Sequence, residues 1–255
     1  MKIVSWNVNG LRSVVRKGFG EWLEKSDIDI VCLQETKIQE DQIGWDLKHI
    51  GNYSFFSSHA SKKGYSGVAI YTKVKPISES GEFKHARFVD EGRFLELVFK
   101  DFRLINLYIP HGGRAKENLK YKLEVYEKLI DYLKGLKDEK IVLLGDFNIA
   151  RSKIDLERPK SNKNNIMFTP NERKQLDKLY ELGFVDAFRK LHKSGGNYTW
   201  WSYSHDARKR NLGWRIDYTF LSKSLIPKLN DSFILRDVEG SDHCPTGIEL
   251  NILYK

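Results

Sequence analysis

Residues able to take part in metal and phosphate chemistry stand at the ends of several apolar segments. The segment "DIDIVCLQE" ends in a glutamate, and "KIVLLGDFN" runs into a carboxylate and an amide. Carboxylate and amide oxygens are ligands for hard divalent cations, and an imidazole can move protons near neutral pH. The pattern is expected where a metal ion must sit beside a phosphate backbone. The strand-end residues are Asn7, Asn9, Glu35, Tyr108, Asp146, Asn148, Asp217, Asp242 and His243.

Asp146 and Asn148 raise the question of why two polar side chains should end a buried strand. Residues i and i+2 of a strand share a face, so both side chains reach one site if the extended conformation continues past Asp146. An Asp/Asn turn directly after the strand is the alternative. The other polar strand ends along the chain favour the shared site.

The overall charge points to a polyanionic partner. The 255 residues include 43 Lys and Arg against 34 Asp and Glu, which gives a net charge of +9. Nucleic acid is the first partner that such a balance favours, and an anionic membrane is the second. Acidic residues at strand ends within this basic background strengthen the nucleic-acid interpretation.

The sequence predicts a soluble intracellular protein. The opening "MKIVSWNVNG" has an apolar run too short for a signal peptide, and no later segment reaches the ~18 apolar residues of a membrane span. We therefore expect a cytoplasmic location, associated with the nucleoid if the partner is DNA. Cys32 and Cys244 are predicted to be reduced thiols rather than a disulfide.

The pattern of elements predicts a layered α/β fold. Apolar runs without alternation indicate strands buried on both faces, and "FLELVFKDFRLINLYI" predicts a hairpin with Lys100 and Asp101 at its tip. Amphipathic helices are predicted over residues 12–25 and 115–136, and a further helix begins at Pro170 and ends at Gly183. Two packed mixed β-sheets flanked by helices, in a single domain over residues 1–255, satisfy this pattern.

Six motifs in order and at characteristic spacing carry a family resemblance. They are "WNVNGLR", "LQETK", "LYIP", "GDFN", "GWRIDY" and "SDHCP", and the match runs from residue 3 to about residue 250. The chain resembles the exonuclease III-like apurinic/apyrimidinic (AP) endonucleases, within the DNase I-like exonuclease–endonuclease–phosphatase superfamily. The resemblance implies a four-layer α/β sandwich with a metal site at one edge of two sheets.

The resemblance also implies catalytic roles. Asp146 matches a general base for the attacking water, and Asn148 matches an amide that orients water or phosphate. Asp217 and His243 match a dyad in which the carboxylate orients the imidazole toward a phosphate oxygen, and Tyr108 matches a phenol directed at the phosphate or the leaving group.

Four matched residues form the implied metal site. Glu35 matches the direct ligand of a divalent ion, which we expect to be Mg²⁺ or Mn²⁺. Asp242 matches a carboxylate near that ion, and Asn7 supports the metal and catalytic network. Asn9 stands where some members carry an aspartate that contacts metal, so the number of ions and their affinity stay open.

The implied substrate is double-stranded DNA that carries an abasic lesion. Trp200, Trp214 and Ile216 match an apolar pocket that receives a flipped-out sugar without its base. The residues that match DNA contacts, or that extend them in a basic loop, are Arg12, Lys17, Lys37, Tyr65, Arg93, Arg114, Arg208, Lys209 and Arg210.

Two further departures from the family pattern concern the substrate. His111 follows "YIP" where Asn or Gln is common, so a phosphate contact there is expected to change or to depend on pH. Trp200 is larger than the more usual Phe, which would tighten the pocket or present a different stacking face.

The expected activity is metal-dependent cleavage 5′ to abasic sites in base excision repair, by a monomeric enzyme. A 3′-phosphodiesterase or 3′→5′ exonuclease activity is also expected, and nicking at deoxyuridine stays open. Two alternatives are a non-catalytic binder of damaged DNA and a superfamily phosphatase acting on inositol or lipid phosphates. A serine charge-relay hydrolase is disfavoured because no Gly-x-Ser-x-Gly elbow is present, and a zinc site lacks the required Cys/His spacing.

Overall fold

The computed structural model describes residues 1–81 and 83–253. Glu82 and the last two residues of the predicted 1–255 domain therefore lie outside the described residues. In chain order the strands are β1 (Lys2–Asn7), β2 (Ile30–Gln34), β3 (Ser54–Ser58), β4 (Val68–Thr72), β5 (Ser78–Ser80), β6 (Phe94–Val98), β7 (Arg103–Tyr108), β8 (Ile141–Asp146), β9 (Phe184–Asp186), β10 (Trp200–Trp201), β11 (Gly213–Trp214), β12 (Asp217–Ser222), β13 (Leu229–Ile234) and β14 (Thr246–Leu250).

Short and long helices alternate with these strands. The α-helices are α1 (Leu11–Arg16), α2 (Phe19–Lys25), α3 (Trp45–Lys48), α4 (Ala86–Asp90), α5 (Leu119–Gly135), α6 (Pro170–Glu181) and α7 (Ala187–Leu191). Single turns of 3₁₀ helix cover Glu40–Gln42 and Lys153–Asp155, and a longer one covers Lys223–Lys228.

Within residues 1–81 and 83–253, the strands form two six-stranded mixed sheets and a small ribbon. The first sheet has the order β13-β14-β1-β2-β4-β3, and the second has the order β5-β6-β7-β8-β12-β9. Each contains one parallel pair, β1 with β2 and β7 with β8, among antiparallel neighbours. The ribbon pairs β10 with β11. The prediction of mixed sheets is confirmed.

Successive side chains of the central strands point to opposite faces of each sheet, and packing on both faces gives four layers. Ile3 of β1 and Leu144 of β8 belong to the cluster between the sheets. Their neighbours face outward: Val4 packs in the cluster of α1 and α2, and Leu143 packs in the cluster of α5 and α6. Because successive side chains of a strand point to opposite faces, buried runs without alternation cover both faces of each sheet. The predicted four-layer α/β sandwich is confirmed.

The predicted elements differ from the structure in detail. The helix predicted over residues 12–25 is two helices, because Gly18 adopts a φ of 95° and turns the chain between α1 and α2. The helix predicted from residue 115 begins at Leu119. The start of α6 at Pro170 is confirmed, as is the hairpin of β6 and β7. Cys32 and Cys244 are buried free thiols.

Candidate active site

The site lies where central strands of both sheets reach the same edge. In the second sheet, Asp146 ends β8 opposite Tyr108 of β7 and opposite Asp217 of β12. In the first sheet, Asn7 ends β1 beside β2, which leads into Glu35. The Asn7 amide joins the two sheets, because its Nδ2 donates to Glu35 Oε1 and to Asp146 Oδ2, both at 2.9 Å.

Asp146 and Asn148 meet through a turn rather than through a continued strand. Strand β8 ends at Asp146, and Asn148 adopts a left-handed φ of 52°. The Asn148 backbone N–H donates to Asp146 Oδ1 at 2.8 Å, and its side-chain amide lies 3.2 Å from Asp146 Oδ2. The prediction that extended conformation brings them together is wrong, since asparagine tolerates this left-handed turn. The two side chains nevertheless share one site.

Asp217 holds the imidazole of His243 inside the fold. His243 Nδ1 donates to Asp217 Oδ2 at 2.9 Å, and Nε2 lies 3.9 Å from Asp146 Oδ2. Burial alone would lower the pKa of His243, but the carboxylates of Asp217, Asp146 and Asp242 outweigh burial and raise the pKa to about 10. The ring is therefore an imidazolium at neutral pH, and its Nε2–H points into the site.

The carboxyl group of Asp146 is the strongly perturbed acid of the site. Burial and the negative charge of Asp217 raise its pKa to about 7, although His243 and the Asn7 amide act in the opposite direction. A base titrating near neutral pH combines a large deprotonated fraction with a strong pull on a proton.

Glu35 and Asp242 lie on the more open side of the site. Burial would raise the pKa of Glu35, but Lys37 and hydrogen bonds from Asn7 and Tyr108 outweigh it and lower the pKa. Burial would likewise raise the pKa of Asp242, but the charge of His243 and hydrogen bonds from Trp200 and Asn9 outweigh burial and lower it. Both carboxyl groups are therefore anionic at neutral pH.

Lys37 and Asn9 link these two carboxylates. Lys37 Nζ lies 2.9 Å from Glu35 Oε2 and donates to Asn9 Oδ1. Asn9 Nδ2 in turn donates to Asp242 Oδ1 at 2.9 Å, so the Asn9 amide bridges the Lys37 ammonium and the Asp242 carboxylate. A bound cation would have to share Glu35 with the Lys37 ammonium.

The donor chemistry of the site fits a divalent cation. Asp146, Asp217 and His243 form a candidate metal-binding group whose ligand atoms lie within 4.8 Å of one another. In that group the imidazolium has no lone pair to offer, because both ring nitrogens carry protons. Glu35, anionic and with a partly exposed carboxylate, is the better first ligand. The Asn7 amide nitrogen donates to Glu35, while the Asn7 side-chain oxygen accepts from the Asn9 backbone N–H.

Tyr108 is fixed by Arg93 and Glu35. The Arg93 guanidinium lies over the Tyr108 ring at 4.4 Å and donates to the Tyr108 carbonyl at 3.2 Å. Burial, together with the charge of Glu35, raises the pKa of Tyr108 well above its ordinary value, so the phenol keeps its proton.

The three residues of the predicted apolar pocket come together beside this edge. Trp200 pairs with Trp214 across the ribbon, and both pack with buried Ile216. Trp200 also lies close to His243, with ring centroids 6.4 Å apart, and its indole N–H donates to Asp242 Oδ2 at 3.0 Å. The apolar cluster therefore lies next to His243 and Asp242.

Comparisons with known proteins place this geometry in a family. The sequence model of the Endonuclease/Exonuclease/phosphatase family matches residues 4–243. The chain belongs to that family. An exodeoxyribonuclease of Bacillus subtilis is 43% identical over 255 residues, covering 99% of this chain and 100% of that protein. The DNA repair nuclease APEX1 of Danio rerio is 41% identical, covering 99% of this chain and 83% of its own length.

A solved structure agrees with these sequence relatives. An AP endonuclease from Archaeoglobus fulgidus superposes with a TM-score of 0.90 and 31% identity, covering 99% of this chain and 100% of that one. The predicted relationship to exonuclease III-like AP endonucleases is confirmed, and so is the DNase I-like fold.

The predicted DNA-contact residues divide by exposure. Arg12, Lys17, Arg114, Lys209 and Arg210 are exposed, whereas Lys37 and Tyr65 are half-buried. Arg93 is 2% exposed and bonded to Glu91, Tyr65 and Tyr108, so its guanidinium is turned inward rather than toward a duplex. The structure also turns Arg208 back onto the fold.

Arg208 fastens one loop to another. Its guanidinium donates to the carbonyls of Ser241, Arg236 and Val238, and it lies 5.0 Å from the Trp201 ring. Of the predicted basic loop, only Lys209 and Arg210 present their charges outward.

None of the helices formed by residues 1–81 and 83–253 is long and apolar enough to cross a membrane.

Sequence reasoning missed an ion pair below the site and an exposed aromatic beside it. Lys122 and Glu172 are fully buried and bonded to each other at 2.6 Å. A lysine four residues before Tyr126 and seven before Leu129, on the apolar face of α5, was the available signal. Tyr203 is 72% exposed, with its hydroxyl 3.5 Å from Asp242 Oδ1.

Proposed function

We propose that the protein hydrolyses the phosphodiester bond 5′ to abasic sites in double-stranded DNA, leaving a 3′-hydroxyl and a 5′-deoxyribose-phosphate. The observation that carries the proposal is the geometry at one edge of the fold. The Asp146 carboxylate accepts from the Asn7 amide and lies 3.9 Å from His243 Nε2, and Trp200 of the apolar cluster packs beside the same histidine. The proposed enzyme acts as a monomer on chromosomal DNA in the cytoplasm, with residues 1–255 as one domain.

Asp146 is the proposed general base. Its carboxylate takes a proton from a water molecule as the water oxygen bonds to phosphorus and the bond from phosphorus to the 3′ oxygen breaks. The departing 3′ oxygen takes a proton from solvent. The Asn148 amide, held by the carbonyl of Ile109 at 2.9 Å, is placed to orient that water or a phosphate oxygen.

His243 and Tyr108 are the proposed donors to the phosphate. The imidazolium donates Nε2–H to a phosphate oxygen whose negative charge grows during attack, and Asp217 keeps the ring from turning. Tyr108 stays a phenol and can donate a hydrogen bond while Arg93 holds it in place.

Glu35, supported by Asn7, with Asn9 and Asp242 nearby, is the proposed holder of Mg²⁺ or Mn²⁺. When bound, the ion would neutralise charge on the phosphate and on the departing oxygen. The relatives are nucleases, which supports divalent-metal dependence, and the choice between the two ions is part of the proposal.

The pocket supplies the proposed lesion selectivity. Trp200 and Trp214, packed against buried Ile216, offer an apolar surface suited to a sugar that has lost its base. Arg12, Lys17, Lys37, Tyr65, Arg114, Lys209 and Arg210 are the proposed contacts to the duplex, with Arg93 and Arg208 holding their neighbours in place.

A 3′-processing activity is a second proposed use of the same site. A structural neighbour at 29% identity is described as a 3′ phosphatase from Neisseria bound to a product DNA hairpin. That protein shares the fold over 99% of this chain, with a TM-score of 0.91. We propose that blocked or recessed 3′ ends enter the same edge, and nicking at deoxyuridine is a question for the same assay.

The proposal is tested with three end-labelled duplexes that carry an abasic analogue, a deoxyuridine or no lesion, each incubated with Mg²⁺ and with EDTA. Nicking of the abasic duplex that requires metal is the expected result. Binding of that duplex without cutting under any metal would favour the damage-binding alternative. Hydrolysis of inositol phosphates that abasic DNA does not inhibit would favour the phosphatase alternative.

A further inference from the structure

Lys122 is a fully buried lysine whose three N–H donors are all used. It lies in the first turns of α5, and its ammonium donates to the carbonyl of Asn148 at 2.7 Å and to the carbonyl of His111 at 3.1 Å. Its third partner is Glu172 Oε1 at 2.6 Å. The three oxygens come from the segments after β7 and β8 and from α6, so one cation joins three separate parts of the chain.

Glu172 extends this connection to the wall of the apolar pocket. Its Oε1 also accepts from the Met167 N–H at 3.0 Å, and its Oε2 accepts from the Thr169 N–H and hydroxyl at 3.0 and 2.7 Å. Phe168, between those two residues, meets Trp214 edge to face. The buried pair therefore lies under both the Asn148 turn and one side of the pocket.

The turn that carries Asn148 is held by its carbonyl oxygens. Tyr126, one helical turn after Lys122, donates its hydroxyl to the Phe147 carbonyl at 2.6 Å, and Tyr218 donates to the Ile149 carbonyl at 2.8 Å. Lys122 holds the carbonyl between them. Asparagine tolerates the left-handed conformation of Asn148 but can also adopt others, so the surrounding contacts select it.

We propose that Lys122 is a positioning residue for the nuclease site, which holds the Asn148 and His111 carbonyls so that the Asn148 amide stays against Asp146. The inference rests on the proposed function. Lys122 touches neither substrate nor reacting atoms in this account. It acts through the peptide groups that it fixes.

A purely stabilising role is the alternative, and two variants separate it from positioning. K122M alone would leave the Glu172 carboxylate buried without its counter-ion, which is strongly destabilising. K122M/E172Q removes both charges and keeps an oxygen at position 172. K122Q/E172Q, which also removes both charges and keeps a polar side chain at position 122, is the second variant in case K122M/E172Q does not fold, and it is judged by the same readouts.

The matched control is a second buried ion pair at the far end of the same sheet. Arg103 begins β7, whereas Tyr108 ends it, and Arg103 pairs with Glu96, whose side chain is as fully buried as that of Glu172. R103M/E96Q therefore removes a comparable pair about 16 Å along the strand from the site.

The first readout is cleavage of a duplex with one tetrahydrofuran abasic analogue. We expect K122M/E172Q to lower kcat by at least about tenfold with KM changed by less than about threefold, because the fault lies in Asn148 and not in DNA binding. K122R, which keeps the charge and N–H donors, should stay within about fivefold of wild type, and R103M/E96Q should keep the wild-type kcat. Wild-type kcat in folded K122M/E172Q would overturn the proposal.

The second readout does not depend on activity. The side-chain amide signal of Asn148 in ¹H–¹⁵N spectra, assigned with N148S, reports its bond to the Ile109 carbonyl. It should shift in K122M/E172Q and stay unchanged in R103M/E96Q. If the wild type leaves abasic DNA uncut, the proposed function fails, and the amide signal still decides: an unchanged signal in K122M/E172Q overturns the positioning role.

Discussion

The two sides of the site are built from similar residue types in different surroundings. The buried half contains Asp146, Asn148, Asp217 and His243, and the open half contains Glu35, Lys37, Asn9 and Asp242. In the buried half, burial and the charge of Asp217 raise the pKa of Asp146 to about 7. Burial opposes charge on His243, but the neighbouring carboxylates outweigh it and raise the pKa of His243 to about 10. In the open half, Lys37 and hydrogen-bond donors keep the pKa of Glu35 low.

This difference indicates a division of work. A carboxyl group near its pKa at neutral pH can take up and release a proton, whereas a carboxylate with a low pKa holds a constant charge for a cation. The Asn7 amide donates to one carboxylate of each half, so the two are held in a fixed relation. We infer that proton transfer belongs to the buried half and metal binding to the open half.

Replacing the proposed base in the buried half should give the largest loss of kcat. D146N keeps the size of the side chain but removes the proton acceptor, so kcat on an abasic duplex should fall by about 10² to 10⁴-fold. Steady-state cleavage measures the loss of turnover, and fluorescence-detected binding measures the affinity for DNA separately. A variant with wild-type kcat would remove Asp146 from the mechanism.

Loss of the imidazolium should have the next largest effect. H243Q keeps an N–H donor without the positive charge, and kcat should fall by about 10²-fold because the phosphate loses a charged donor. The comparison with H243A shows how much a neutral donor recovers. Equal loss in both variants would mean that charge, and not the hydrogen bond, is what His243 contributes.

The cleavage rate should depend on pH through two groups of the buried half, Asp146 and His243. Asp146 is protonated below its pKa, so the rate should rise about tenfold per pH unit up to about pH 7 and then level off. The alkaline limb follows loss of the His243 proton. Because Asp217 raises the pKa of His243, D217N should move the alkaline limb to lower pH. An unmoved alkaline limb in D217N would contradict this assignment.

The open half is tested through Lys37. Its ammonium lies 2.9 Å from Glu35 Oε2 and competes with a cation for that oxygen. K37M should therefore lower the Mg²⁺ concentration at half-maximal rate by about fivefold, as expected for a nearby unit charge in water. K209M, at an exposed position, is the control for loss of positive charge in general, and an equal shift in K209M would point to bulk charge.

The smallest effects are expected in the basic loop. K209Q/R210Q removes two outward charges and should reduce the salt dependence of DNA binding by about two counterions. R208M should instead lower the melting temperature with little change in the salt slope, because Arg208 is bonded to three carbonyls. The opposite pattern would show that Arg208 faces the DNA.

Sequence reasoning was most successful where the fold leaves little freedom. Strand ends such as Asp146, Asp217 and Glu35 meet because central strands of packed sheets reach a common edge. Apolar runs predicted buried strands in layered mixed sheets, and the family resemblance supplied the common edge. The count of four layers came from the same resemblance.

Local backbone geometry and side-chain burial could not be predicted in the same way. The left-handed turn at Asn148 depends on carbonyl contacts from α5 and β12, which are distant in sequence. Arg93 and Arg208 are of a residue type that usually lies at the surface, and only tertiary partners turn their guanidinium groups inward. Lys122 is buried because three oxygens surround it, and no one-dimensional pattern contains that information.

The division of work is tested most directly by the affinity for Mn²⁺ in the absence of DNA, measured by titration with electron paramagnetic resonance. E35Q should weaken Mn²⁺ binding by more than about tenfold, because it removes the anionic ligand, whereas D146N should stay within about threefold of wild type. Weak Mn²⁺ binding in D146N together with unchanged binding in E35Q would contradict the account and would place the cation in the buried half.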